Sequence, residues 1–330
     1  MMKAPVADGG GSSSERGEFG VAGTPSSKSV AAEEVDQGLR HRRFSPARVG
    51  AICANSLTEL TRMKVFYLLL LFGLLLIGGS VFLARFSFQQ EFQILKDISL
   101  GAMSIFSSLL AIVVTARLIP QDIEDRTIYS ILAKPVPRFE YVLGRLGGVL
   151  LLLAITIATM SALFAIVIYT REQTVLHETA RQMSGAQPEQ LNQALQTVRA
   201  SALSGDLVPA ITVIYVKACL LGALTLLVST FASTNVFTII VMTFIYFIGH
   251  LQATAREYWL HEHGADWATR LFLAFVAFVF PDLQAFNLVD EVVAGTAIPF
   301  ALFLRTATFG LFYVAVYTLL AAVAFSSKEL

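Results

Sequence analysis

Three groups of residues in this 330-residue chain have types and spacings that could carry chemistry. The densest is the stretch from Asp122 to Arg145, whose 24 residues hold eight charged side chains and two prolines. Wound as a helix, it places Asp122, Arg126, Tyr129 and Ser130 on one side, and Asp122 can pair with Arg126 at i, i+4. Ile123, Thr127 and Ile131 stack on the other side. Glu124 falls nearer that apolar side, where a carboxylate needs a cation such as Arg138 or Arg145. Pro120 reads as the N1 start of this short helix and Lys134-Pro135 as its end. The residues thus read as a short helix with one face toward its own spans and one toward the cytoplasm.

The second group is His261-Glu262-His263. Metal-binding histidines on a helix share a face at i, i+3 or i+4, so a pair two apart would meet a metal only on a strand or loop. Trp259 and Trp267 bracket the pair, which suits an aromatic belt at a membrane interface; metal or cargo contact is the alternative. The third group is Lys217 and His250, ionisable residues inside apolar runs, which are functional candidates by position. Lys217 lies near enough to the end of its run to be expected to snorkel to the boundary. Arg85 and Arg305 read as boundary anchors, and Asp282, Asp290 and Glu291 as water-facing carboxylates or the lining of an exit path. Cys53 and Cys219 lie in unrelated regions, which argues against a disulfide and against a cysteine metal site.

The elements that must position these residues are membrane helices. Hydrophobic residues make up 55% of the chain and charged ones 15%, against about 25% charged in soluble domains. A span needs about 20 apolar residues. Val65–Ala84, Ile98–Ile119, Leu146–Tyr169, Ile211–Ala232 and Arg305–Phe325 meet that length or approach it, and the shorter Val236–Leu251 makes a sixth. Leu271–Phe280 is half as long and ends at Pro281, as a re-entrant or interfacial helix would. Residues 1–39 have the Gly/Ser-rich composition of a disordered tail, and 40–64 read as a basic amphipathic helix on the membrane surface or a basic flank of the first span.

Lysine and arginine set the expected orientation. With the amino terminus in the cytoplasm, the inner side holds twelve of them near the spans, against eight in all the outer connections, which are much longer and include the two long loops at about 170–210 and 252–304. In the first of these, Pro188 opens a helix whose apolar residues Leu191, Ala194, Leu195, Val198 and Ala202 share a face. With a helical stretch at about 172–183 it forms an outer hairpin, a cap on the spans or a docking surface. The expected fold is thus an all-α integral membrane protein of six spans, with a helix in the charged loop, an outer hairpin and a re-entrant helix. It would be multi-pass in the plasma (inner) membrane, with both termini cytoplasmic.

The string from Glu124 to Arg145 resembles the cytoplasmic loop of the membrane (permease) subunits of type 2 ABC exporters. The matching residues are Glu124, Thr127, Leu132-Ala133, Pro135-Val136, Arg138 and Gly144-Arg145, with weaker likeness over Phe280–Asp290 and the closing FSSKEL. The resemblance covers roughly residues 50–330, and the Gly/Ser-rich tail and long first outer loop depart from it. It implies a coupling helix, seated in a separate ABC ATPase, that involves Asp122, Glu124, Asp125, Arg126, Thr127, Tyr129, Ser130, Lys134, Pro135 and Arg138. ATP and Mg would be held by that partner, since this chain has no Gly-x-x-x-x-Gly-Lys-Ser/Thr loop and binds no cofactor of its own. A second copy or a paralogous permease would complete the assembly. Gly144 and Gly148, four apart, would allow close helix packing. The alternatives are a non-transporting ABC-type mechanical or regulatory complex and a membrane-embedded enzyme. The latter would need polar catalytic groups converging within spans that offer mainly Ser and Thr. Nothing in the zero net charge argues for nucleic acid.

Overall fold

The computed structural model describes residues 45–84, 90–124, 137–185, 187–202, 205–261, 267, 268, 271, 281–295 and 298–327. All regular structure among them is helical: α1 (Pro46–Thr61), α2 (Lys64–Ala84), α3 (Glu91–Glu124), α4 (Arg138–Gln182), α5 (Pro188–Ala202), α6 (Leu207–Phe231), α7 (Asn235–His261), a 3₁₀ turn (Gln284–Phe286), α8 (Val289–Ala294) and α9 (Phe300–Ser327). Six stretches, in α2, α3, α4, α6, α7 and α9, are long and apolar enough to cross a membrane.

Sequence composition explains which span sits where. The helix α6 presents apolar residues on every side, with Lys217 the one charged side chain, and Val213, Leu220, Leu221 and Leu226 are all fully buried. A helix with no polar face is stable at the centre of a bundle, and α6 packs against α3, α4, α7 and α9. By contrast, α2 buries only a stripe of Phe66, Gly73, Ile77, Ser80 and Ala84, while Tyr67, Leu71 and Leu75 point outward. Lipid tolerates such an apolar surface, so burial there tracks packing and not hydrophobicity.

Two boundaries differ from the sequence expectation. Pro120 lies inside α3 and does not open a new helix. Proline removes one i→i−4 bond, here to the carbonyl of Ala116, yet the flanking turns are anchored by buried Leu118, Ile119 and Asp122, which carry the helix across it. Secondly, α4 runs 45 residues without interruption, so the first arm of the hairpin is a continuation of the third span; α5 packs back against it. The expected re-entrant segment Leu271–Phe280 and the tail 1–39 lie outside the described residues, apart from Leu271 itself.

α1 lies against the first turns of α4. Gly144 and Gly148 both face it: a Cβ on Gly144 would come within 2.7 Å of Ile52 Cβ, and one on Gly148 within 2.5 Å of Ser56 Cβ and 3.1 Å of the Cys53 carbonyl oxygen. Only glycine permits this approach. Gly101 in α3, where a Cβ would meet nothing within 4 Å, is the matching control. Gly148→Ala should therefore lose about 1–3 kcal/mol through overpacking, whereas Gly101→Ala should be neutral or gain up to about 1 kcal/mol in helix propensity. Thermal unfolding of the two variants in detergent checks the sign of each.

Candidate functional site

The charged loop departs from the end of α3 and returns at the start of α4, and a polar cluster occupies that base. Its centre is Arg145, two turns into α4, with a side chain 6% exposed. One guanidinium nitrogen, Nη1, donates to Glu59 Oε2 of α1 at 2.6 Å and to Ser56 Oγ at 3.3 Å. The other, Nη2, donates to Asp122 Oδ1 of α3. Nε points at the Tyr141 hydroxyl, 3.4 Å away, and that hydroxyl donates to Asp122 Oδ2. The planar fork of arginine thus joins three helices with directed bonds, as a lysine could not. Position along the helices allows it: Tyr141 and Arg145 are i, i+4 on α4 and share one face.

A second set lies beside it. Buried Glu140 accepts from the Ser45 backbone N–H at 2.9 Å and from Arg48 Nη2 at 3.1 Å, which fixes the start of α1. Arg48 Nε also stands 3.0 Å from Glu140 Oε2, an ion-pair contact without the angle of a hydrogen bond. Arg138 donates to the Phe325 and Ser326 carbonyls at 3.3 and 2.6 Å, capping the last turn of α9. Tyr141 stacks on Phe325 with centroids 5.5 Å apart. The start of α4 is therefore tied to α1, α3 and α9 at once.

These contacts revise several residue roles. Asp122 does not face water on the docking side; it is 4% exposed and turned inward to Arg145 and Tyr141. The i, i+4 partner expected for it, Arg126, lies outside the described residues. Arg145 joins Asp122 and Glu59, and Arg138 the end of α9. Glu124 closes α3, and its side chain lies outside the described residues, as do Asp125, Thr127, Tyr129, Ser130, Lys134 and Pro135. Glu59 and Ser56 were missed because nothing in their spacing ties them to a residue about 86 positions away.

The opposite end of α4 carries Arg171, buried and bonded through Nε and Nη2 to Glu91 Oε2 at 3.0 and 2.6 Å. Arg145 and Arg171 are 26 residues apart, which is about 39 Å at 1.5 Å per residue. A bilayer with its headgroup regions is roughly 40–45 Å thick. The two buried arginines therefore mark the two polar levels of the bundle.

Between those levels lies Lys217, 3% exposed on α6. It does not snorkel. The central position of α6 encloses it, and its Nζ sits 3.2 Å from Ser104 Oγ of α3, 3.0 Å from His250 Nε2 of α7 and 5.8 Å from the Tyr246 ring centroid. His250 Nδ1 lies 2.9 Å from the Tyr246 carbonyl, so Nδ1 carries the proton and Nε2 accepts from the ammonium. Sequence could place each residue on its helix, but not that the two helices bring them level. Asp282 Oδ1 accepts the Gln284 backbone N–H at 3.0 Å, and Glu291 is partly buried in α8. The side chains of Asp290 and His261, and the whole of His263, lie outside the described residues. Among the described residues, no three His, Cys, Asp or Glu side chains gather to hold a metal.

No protein-family model and no curated protein matches the chain.

Breaking the Arg145 pair should be costly. Arg145→Met strands two carboxylates and should lose about 3–5 kcal/mol of stability, while adding Asp122→Asn should restore part of the loss, a coupling of roughly 1–3 kcal/mol. A double-mutant cycle by thermal unfolding measures it. At the centre of the bundle, Lys217→Met should be neutral or stabilising. His250→Leu should cost about 1–3 kcal/mol, because it removes an acceptor from a buried ammonium. Equal losses from the two would show that the ammonium itself holds the bundle together.

Proposed function

We propose that this chain is the membrane-spanning subunit of an ABC-type exporter and that the charged loop after α3 receives the thrust of a separate ATPase. The observation that carries the proposal is the clamp at the loop's base. A polar loop between two spans needs no buried arginine to stay in water. This one returns through Arg145, which joins α1, α3 and α4, and through Arg138, which holds the end of α9. A force on such a loop reaches four helices together, which suits a lever and not a tether.

The role of each part follows. The ATPase hydrolyses ATP with Mg in its own site, and this chain supplies the docking helix and the path through the bilayer. Its Glu124, Arg126, Tyr129 and Ser130 side chains would meet the partner, whereas Asp122 and Arg145 would keep the loop's ends in register with the spans. Two such subunits would flank the path, with the loop and α1 on the cytoplasmic side. The resemblance of the loop sequence to type 2 exporter permeases supports the same reading.

A single cysteine in place of Ser130, in a chain carrying Cys53→Ser and Cys219→Ala, tests it by cross-linking to an ABC ATPase encoded beside it and co-expressed. A cross-link whose yield changes with bound nucleotide is the expected result; its absence with both proteins in the membrane would remove the loop as the docking element. Cys53 itself gives an internal control. Burial pushes its thiol above the usual range, so little thiolate is present at pH 7. Maleimide labelling of Cys53 in the otherwise unaltered chain should be slower than that of the cysteine at position 130, and should accelerate as pH rises.

A further inference from the structure

At the end of α9 remote from Arg138, a cleft of about 410 Å³ opens between α7, the 281–286 segment and α9. Its polar lining is Gln252, Asp282, Arg305 and Thr306, set against the rings of Phe309 and Tyr313. Gln252 is 7% exposed, and its Oε1 has no hydrogen-bond partner among the described residues. A buried amide oxygen without a donor is costly, about 1–3 kcal/mol, and calls for an explanation. Tyr313 also lines a second cavity of about 510 Å³, which continues along α9 between α6 and α7. That cavity is walled by apolar side chains, among them Val228, Phe231, Val316 and Leu320.

The two cavities share a wall and differ in chemistry in the order an amphipathic molecule would require. From Arg305 to Leu320 is 15 residues of helix, about 22 Å. Half of a bilayer with its headgroup region measures roughly 20–22 Å. The polar and apolar cavities together thus span about the length of one phospholipid along α9. The polar end offers N–H donors on Arg305 for a phosphate, and on the other side the Gln252 carbonyl oxygen and the Asp282 carboxylate. The unpartnered Gln252 oxygen calls for a headgroup that carries its own N–H donor, and the carboxylate of Asp282 in the same lining favours a cationic one.

We propose that this composite groove is a specific phospholipid site for a phosphoethanolamine headgroup: phosphate on Arg305, ammonium on Gln252 and Asp282, and one acyl chain along α9 past Tyr313. The proposal stands apart from the export reading, because a bound lipid is compatible with any function of the bundle.

Native mass spectrometry of the delipidated full chain in detergent tests it, with phosphatidylethanolamine, phosphatidylglycerol and phosphatidylcholine of identical chains added in turn. One saturable phosphatidylethanolamine is expected, at least tenfold tighter than phosphatidylcholine, which has no N–H to give, and tighter than phosphatidylglycerol. Gln252→Leu should shrink the tenfold preference to under threefold, and Gln252→Glu, which keeps the acceptor, should retain it. Val316→Trp, in the groove wall, should abolish the tight site while leaving the headgroup residues in place. Binding of the three lipids within threefold of one another would overturn the proposal. So would a preference that survives both Gln252→Leu and Val316→Trp. Chain-free glycerophosphoethanolamine should not compete, and equal binding by it would leave a headgroup site without a lipid groove.

Discussion

A guanidinium taken out of water is tolerated only where its charge meets an anion and its N–H groups meet acceptors. Arg145 satisfies that demand with partners from three helices, and the arrangement of the loop-side half of the bundle follows from it. Asp122 must come to the end of α3, past Pro120. Glu59 and Ser56 must lie on the inner side of α1, and α1 must approach α4 closely enough for them to reach. The glycines at 144 and 148, one turn apart on α4, provide that approach, since a methyl group at either would collide with Ile52 or Ser56. Glycine face and arginine fork are thus two parts of one contact.

The bilayer supplies the second constraint. Apolar burial does not drive helix association within lipid, so polar contacts and close packing decide which helices meet. The arginines are placed accordingly, at two levels one membrane thickness apart, where water and headgroups reduce the desolvation cost. Lys217 is the exception, between the levels and enclosed by Ser104, His250 and the Tyr246 ring. Its net contribution to stability is small once desolvation is counted. Its geometric effect is larger, because an ammonium with three neighbours from α3 and α7 admits one register of those helices against α6.

α9 connects the two ends of this arrangement. Its last turn is capped by Arg138 and stacked by Tyr141, at the base of the charged loop, and Arg305, 20 residues before Phe325, lines the amphipathic cleft. A helix of that length is stiff over its roughly 30 Å. One continuous helix therefore runs from the base of the charged loop to the wall of the cleft.

Much of the scaffold was legible in the residues. Apolar runs of about 20 located the six spans, because lipid leaves the backbone no other way to satisfy its hydrogen bonds. Pro188 with its i, i+3, i+4 pattern located α5, and Gly144 with Gly148 marked a close helix contact. These are local signals, set by composition and by the 3.6-residue period within one segment. What the residues could not disclose is pairing across segments: that Asp122 turns inward to an arginine 23 positions away, that Glu59 joins it from α1, that Lys217 meets His250 instead of the boundary, and that Gln252 and Arg305 face one cleft. A charge announces that it needs a partner, but which partner it finds depends on helix rotation and packing order. Those follow from the simultaneous fit of all the spans, which only the tertiary structure decides.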